Sequence, residues 1–481
     1  MNTDITQRLP AEVILRIFDA LEVPAIPLVL IPGHVCTRWR VLARAHPAFS
    51  EHIQLRRTSN AAMEMFSAQL AAREPSDIHL KISLNWRGPV DMASVLPHLV
   101  QHLARCTTLS ISYESSSADL KAVFSALSRG RAPKLRQLSL SLNWSDDRPY
   151  ALHKANIGDL HIPSALFLGD APLLRRLELS GDVCALVPRG EPAAIPAFAT
   201  VEELVLDYND PVKGDRAILW PALAAVPGLR HLEILSTFDT RPPADVDVAL
   251  LSSLRLDYAL FLNLSEKWWR IIAALDVRRV PELMLSGDDD LLCALFLERG
   301  RYAECLRGAL EFGVVDMTNG LKTNNFFVRA RNTGRTLRVF EGVPEAERLL
   351  QCILRDADTA LVQLEACARF WYKVLWITAA RAFPTVEQLV LHVDVNTFGV
   401  GSPRYRFPKD PLAVPALREV ELRLCCHGAL WMCAIDPGSV VHFVQRELAF
   451  EGPPILTLHR PLFISGDRAP LLTVFSRIVE L

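Results

Sequence analysis

The chain has 481 residues, half of them hydrophobic and 22% charged, with 52 Lys plus Arg against 54 Asp plus Glu and a formal net charge of −2. That composition excludes a largely disordered chain, and the near-neutral balance removes the blanket attraction on which nucleic-acid binders rely. The longest uncharged run, residues 23–37, is 15 residues and contains Pro24, Pro27 and Pro32, short of the ~20 apolar residues a membrane-crossing helix needs.

Neither nucleic acid nor a membrane is therefore an expected partner. The N-terminal stretch MNTDITQRLPAEV lacks a basic start followed by an apolar core, so no secretory signal is expected. The ten cysteines are scattered, without a CxxC or a zinc-type Cys/His spacing. They are expected to be reduced thiols of a cytoplasmic or nuclear protein, with no metal and no cofactor.

Residues 1–57 are expected to form a compact helical unit. Pro10 sits where a helix can begin, because its fixed φ suits the first turn and its missing N–H needs no partner there. Val13, Ile14, Ile17, Phe18 and Leu21 then recur at i, i+1, i+4, i+5 and i+8, one apolar face of a helix. Pro24 and Pro27 end it. A short apolar run at residues 28–31 closes on Pro32-Gly33, and Val35, Trp39, Leu42 and Ala43 make a second helical stripe. So small a unit buries little area and needs a partner or a neighbouring domain.

Leu9-Pro10-Ala11-Glu12-Val13-Ile14-Leu15-Arg16-Ile17-Phe18 with Leu21, followed by Val35-Cys36-Thr37-Arg38-Trp39-Arg40 and Leu42-Ala43, resembles an F-box. That family begins with a Leu-Pro-x-Glu helix ending in Ile-Phe and closes on Val-Cys-x-x-Trp. Here the linker at residues 23–34 is longer, and Pro32-Gly33 interrupts a stretch that is helical in the family. The resemblance implies a three-helix domain that binds a Skp1-type adaptor and, through it, a cullin. It also implies that Leu9, Pro10, Val13, Ile14, Ile17, Val35, Cys36 and Trp39 contact the adaptor or set the helices that do. A generic three-helix cap on a solenoid is the other reading of these residues.

From about residue 77 the phrase apolar-x-x-apolar-x-apolar recurs. Its eight copies begin at Leu135, Leu174, Val201, Leu229, Leu251, Val280, Val386 and Leu417, with successive separations of 39, 27, 28, 22, 29, 106 and 31 residues. Most lie near the period of about 20–29 residues found in leucine-rich repeats. Five copies are announced by a proline two positions earlier: Pro133, Pro172, Pro227, Pro384 and Pro415. Three residues past the last apolar position stand Asn143, Asn209, Cys425, Asp182, Asp288 and Asp394, short polar side chains that can bond the backbone of a turn leaving a strand. The expected fold is α/β: a three-helix N-terminal unit followed by a leucine-rich-repeat-like solenoid over residues 58–481.

Helical spacing fills the intervals at residues 95–105, 119–129, 266–275 and 290–300. Residues 345–382 carry a long helical pattern without Gly or Pro, either inserted helices or degenerate repeats. Residues 397–415, rich in Gly and Pro, are expected to be a loop, and the apolar residues 471–481 are expected to cap the array's end.

No G-x-S-x-G, P-loop, H-E-x-x-H or G-x-G-x-x-G occurs. Asp288-Asp289-Asp290 lies where a strand would exit into a helix N-terminus, where acids belong electrostatically. A non-catalytic chain is expected, a substrate receptor of an SCF-type cullin-RING ubiquitin ligase. It would hold an unknown protein substrate on the repeats while partner subunits do the chemistry. A repeat scaffold without a ubiquitin role and a hydrolase with a dispersed site are the other readings. Residues flanking the apolar positions of a period-two strand face away from the core. Over the eight copies these 24 positions hold Glu178, Glu203, Asp207, Glu233, Asp257, Glu282, Glu419 and Glu421 against Arg176, Arg255 and Arg423, a net −5. This stripe is the expected substrate-binding face, suited to a basic protein segment.

Overall fold

A computed structural model of the chain describes residues 9–20, 35–46, 51–71, 76–84, 92–114, 117–143, 161–181, 195–208, 219–236, 246–264, 268–275, 279–287, 308–316, 324–340, 359–367, 371, 383–393, 411–424 and 433–481. The chain divides into two compact units, Met1–Arg255 and Leu256–Leu481. Both are mixed α/β and built on mostly parallel sheets. No described helix is long and apolar enough to cross a membrane.

The first unit opens with two short helices, α1 (Ala11–Ala20) and α2 (Thr37–Ala45). The Pro10 carbonyl starts α1, accepting from the N–H groups of Val13 at 3.2 Å and Ile14 at 3.3 Å. Residues 21–34, which hold Leu21 and the expected middle helix, lie outside the described residues. The stretch expected to be helical as far as residue 57 ends instead in a strand, β1 (His52–Leu55). Four residues are too few for alternation to be read in sequence, yet Ile53 and Leu55 are buried.

After β1 comes α3 (Asn60–Ala71), then β2 (Ile78–Leu84), α4 (Met92–His102), β3 (Cys106–Glu114), α5 (Ser117–Leu127) and β4 (Gln137–Asn143). β5 (Arg176–Gly181), β6 (Glu203–Tyr208), α6 (Trp220–Ala224), β7 (His231–Ser236) and α7 (Val248–Ser253) complete the unit. The strands from β1 to β7 pair in chain order, every pair parallel. Parallel neighbours need a crossover on one face of the sheet. Among the described residues, the crossover elements range from the 12 residues of α3 to the three of the 3₁₀ turn Pro196–Phe198. In four of the five proline-marked copies the proline lies in a hydrogen-bonded turn that launches the strand. Ala132 accepts from the N–H of Leu135 and Ala171 from that of Leu174, each at 3.1 Å. Proline supplies the φ that the second residue of such a turn requires, and the accepting alanines are themselves buried.

The second unit contains β8 (Tyr258–Leu264), α8 (Trp269–Ala274), β9 (Glu282–Gly287), β10 (Gly308–Asp316), β11 (Asn324–Ala330), β12 (Thr336–Phe340) and β13 (Thr359–Cys367). Then come β14 (Gln388–Val393), β15 (Leu412–Ala413), β16 (Glu419–Leu424), β17 (Cys433–Ile435), α9 (Pro437–Glu447), β18 (Leu448–Ala449), β19 (Ile455–Leu458), β20 (Leu462–Ile464) and β21 (Arg477–Glu480). Its main sheet runs β8-β9-β12-β11-β10-β13-β14-β16-β19-β21. β11 is antiparallel to both neighbours, and the remaining pairs are parallel. The chain thus leaves β9, lays down β10 at a distance, and returns through β11 to place β12 beside β9. Residues 471–481 form a 3₁₀ turn, Leu471–Thr473, and the strand β21.

Seven of the eight sequence copies fall on strands in the expected phase, and one does not. Leu251 lies in α7 and Leu254 follows its end, so the copy expected there is no strand. β8 pairs with β9 so that Ala259 stands opposite Leu283 and Phe261 opposite Leu285. The copy is therefore Leu256-x-x-Ala259-x-Phe261, and the separations on either side become 27 and 24 residues in place of 22 and 29. A second copy sits inside the helical pattern at 345–382. Leu361-x-x-Leu364-x-Ala366 lies on β13, with Leu364 opposite Leu389 and Ala366 opposite Leu391. Alanine breaks the apolar phrase in both and is the strongest helix former, which hides the strands. Apart from Trp371 and β13, residues 345–382 lie outside the described residues, as do 288–300 and 397–410.

The corrected register makes a direct prediction. Phe261 is fully buried and Leu254 only half-buried. Phe261→Ala should cost about 3–5 kcal/mol, as for other buried aromatics, and Leu254→Ala well under half of that. Urea unfolding of the two variants measures the difference. A larger loss at Leu254 would contradict the register.

Candidate functional site

The N-terminal helix pair is assembled by residues of the Leu9–Phe18 and Val35–Ala43 stretches. Ile14, Phe18 and Ala43 form the buried core between α1 and α2, with Leu9, Leu15, Trp39 and Leu42 packed around it. Phe18 meets Trp39 edge-on at 5.4 Å between ring centroids and His46 at 5.9 Å. His46 Nε2 lies 2.9 Å from Asp19 Oδ1, tying the end of α2 back to α1. The candidate adaptor residues divide on this frame. Ile14 is core; Leu9, Ile17, Cys36 and Trp39 are half-buried; Pro10, Val13 and Val35 stand out. Val13 is 40% and Val35 49% exposed. The single apolar stripe expected of α1 is therefore split, one part holding α2 and one part left at the surface.

On the first unit's sheet, the face opposite Leu177 and Leu179 gathers four of the acidic candidates. Arg176 on β5 reaches Glu203 on β6 at 3.1 Å and Glu178 on its own strand at 3.8 Å. The Ser180 hydroxyl donates to Asp207 at 3.2 Å. Register places Glu178, Val205 and Glu233 in one row, so the outer two carboxylates stand about 10 Å apart, two strand spacings. Burial pushes the Glu233 carboxyl up, and Glu178 and Glu203 push the same way, against the pull of Arg176 and His231. Glu178, Glu203 and Glu233 thus draw on one guanidinium, that of Arg176. Asp257 and Arg255 do not join the stripe; both precede β8 and are exposed. That removes one charge of each sign and leaves the net charge of the stripe unchanged.

The second unit uses the same face differently. Glu421 on β16 is 4% exposed. Arg423 Nε donates to it at 2.7 Å, Gln388 Nε2 donates at 3.1 Å, and His459 Nε2 closes on the same carboxylate. Glu419 accepts from Thr457 at 2.6 Å and from Gln388 at 3.2 Å. Two further carboxylates join from strands that the sequence conceals. Glu365 on β13 meets His392 at 2.7 Å, and Glu311 on β10 pairs with Arg329 at 3.2 Å and Arg331 at 3.5 Å. Gly313 positions part of this group, since a Cβ there would stand 2.3 Å from the Phe327 ring. With that space free, Phe327 lies under the Arg329 guanidinium, 5.4 Å from its centroid. Of the remaining candidates, Glu282 on β9 is half-buried. A buried carboxylate is costly unless paired, and here the pairing is internal, so Glu419 and Glu421 are already engaged.

Among the described residues no group of three or more His, Cys, Asp and Glu side chains is arranged to hold a metal ion. Cys106 and Cys367 are buried free thiols and Cys36 is half-buried. Burial, against a smaller pull from Arg105, pushes the Cys106 thiol up to about 12, which makes it inert.

The two faces should titrate with opposite sign. Burial raises the Glu365 carboxyl, but the hydrogen bond and charge of His392, with Arg423 and Arg329, outweigh it and hold the group below its usual value. Its stabilisation is therefore present above about pH 4.3 and lost as pH falls through the lowered folded value. Glu233 is raised, so its ionised form opposes folding at neutral pH and that penalty fades on acidification. Glu365→Gln should cost about 1.5–3 kcal/mol near neutral pH and flatten the acid limb of stability. Glu233→Gln should be neutral or stabilising. Denaturant midpoints from about pH 4 to 7 test both, and equal losses for the two variants would refute this assignment.

Two comparisons with known proteins identify no relative: no family model matches the chain, and no curated protein matches it.

Proposed function

We propose that the chain is a substrate-receptor subunit of an SCF-type cullin-RING ubiquitin ligase. Its N-terminal helices would bind a Skp1-type adaptor and its repeat sheet a protein to be modified. The observation that carries this reading is the division of the F-box-like motif. Ile14, Phe18 and Ala43 pack the two helices together, while Pro10, Val13 and Val35 keep apolar surface in water. Apolar surface of that kind on a small helical element is a binding surface or an aggregation liability. A parallel repeat sheet supports the other half of the reading, since such arrays present long rows of side chains to a partner.

The chain's own contribution would be proximity, with bond-making left to partner subunits. Of the acidic candidates, Glu178, Glu203 and Glu233 are the ones suited to a basic substrate segment, because the three carboxylates draw on the same Arg176 and His231. Their effect would fall on association rate and selectivity more than on raw affinity.

Val13→Glu combined with Val35→Glu tests the adaptor half without touching the core. Capture of purified Skp1-type adaptor by the full chain should weaken by at least about tenfold, roughly 1.4 kcal/mol. Met65→Glu, an equally exposed position on α3, should leave capture intact. Failure of the unmodified chain to bind the adaptor at micromolar concentration would remove the ligase reading and leave a repeat scaffold.

A further inference from the structure

We propose that the stacked His52–His79 pair forms a proton-sensitive latch, holding β1 on β2 while the His79 imidazole is neutral and loosening it when that ring is protonated. The two residues are direct partners in the parallel β1–β2 register. Their rings stack with centroids 4.6 Å apart and planes 16° from parallel. Neutral rings attract in that pose, whereas two imidazolium ions at the same distance repel across the strand pair itself. His79 is held from its other side, with Nδ1 2.9 Å from Thr108 Oγ1 and 3.4 Å from Thr107 Oγ1 on β3. β1 is only four residues long, so few other contacts dilute a change in this one.

The surroundings favour a neutral His79. Burial and His52 hold the His79 imidazole below its ordinary value, while Glu51 and Asp77 pull the other way. Asp77 is occupied by Lys134 at 2.5 Å. The next pair on the same face of these strands is Gln54 and Lys81, which adds a positive neighbour and no counter-ion. The helix α3, packed on β1, brings Glu64, which is exposed. Because the folded value lies below the unfolded one, the unfolded segment binds more protons. Pairing therefore weakens as pH falls through about 6.5, and the loss is complete below the folded value. β1 is the first described strand after α1 and α2, so the latch governs how firmly the segment that follows those helices stays on the sheet. This inference does not depend on a ubiquitin role.

Amide hydrogen exchange of residues 53–55 in the full chain, corrected for intrinsic rates and referred to β4, provides the test. Opening of β1 should rise about tenfold between about pH 7.5 and about pH 5. His52→Phe, which keeps a stacked ring without a charge, should lower that ratio, leaving only the part that burial of His79 supplies. A ratio unchanged in His52→Phe, or a wild-type β1 that opens equally at both pH values, overturns the proposal. If the variant perturbs the fold, NMR titration of His79 in the wild-type chain decides. A depressed value supports the latch, and a value at or above that of free imidazole overturns it.

Discussion

A parallel strand satisfies its backbone only by lying in register beside the next one, and in this chain that requirement decides where nearly every side chain goes. Because side chains alternate, a slip of one residue would turn each leucine outward and each charge inward. Two columns set the register of the first unit: Leu138, Leu177, Leu204 and Leu232, and beside it Leu140, Leu179, Leu206 and Ile234. None of the eight is more than 1% exposed. Burying a side chain of this size is worth about 1.5–3 kcal/mol, so exposing these eight would forfeit an amount comparable to or larger than a chain's marginal stability.

The same alternation builds the outer face, and the two units exploit it in opposite ways. In the first, Glu178, Glu203 and Glu233 draw on Arg176, and burial leaves Glu233 reluctant to ionise. In the second, glutamates alternate with arginine, histidine and glutamine across β10, β13, β14 and β16 until each carboxylate has a protein partner. The first arrangement leaves three carboxylates competing for Arg176 and His231. The second is a closed lattice whose gain is already realised within the fold. Residue type alone does not distinguish them, since both read as glutamate between leucines.

What the sequence makes legible follows from this physics. Strands whose three apolar positions are all large, such as Leu174, Leu177 and Leu179, announce themselves, and a proline two residues earlier marks the turn that launches them. Where the third or second large residue is replaced by Ala366 or Ala259, the burial persists but the pattern dissolves, because alanine fits any environment and favours helix. β1 is too short to show a period, and β10 to β12 leave chain order altogether, which no local pattern encodes. The N-terminal helices are legible as apolar stripes. The division of that stripe into Ile14 and Phe18 inside, Val13 outside, depends on where α2 packs. Glu365 and Glu311 escape notice as site residues for the same reason as their strands do. Burial of Glu421 is a property of its neighbours and not of its own position.

These elements meet in one functional account: a small helical pair with apolar residues left in water, joined to a sheet whose rows can be read by a partner. Quantitative mass spectrometry of proteins that co-purify with the tagged full chain from cells tests it most directly. The account predicts recovery of a Skp1-type adaptor and a cullin in near-stoichiometric amounts with the chain. Recovery of repeat-bound partners with neither ligase subunit present would contradict it.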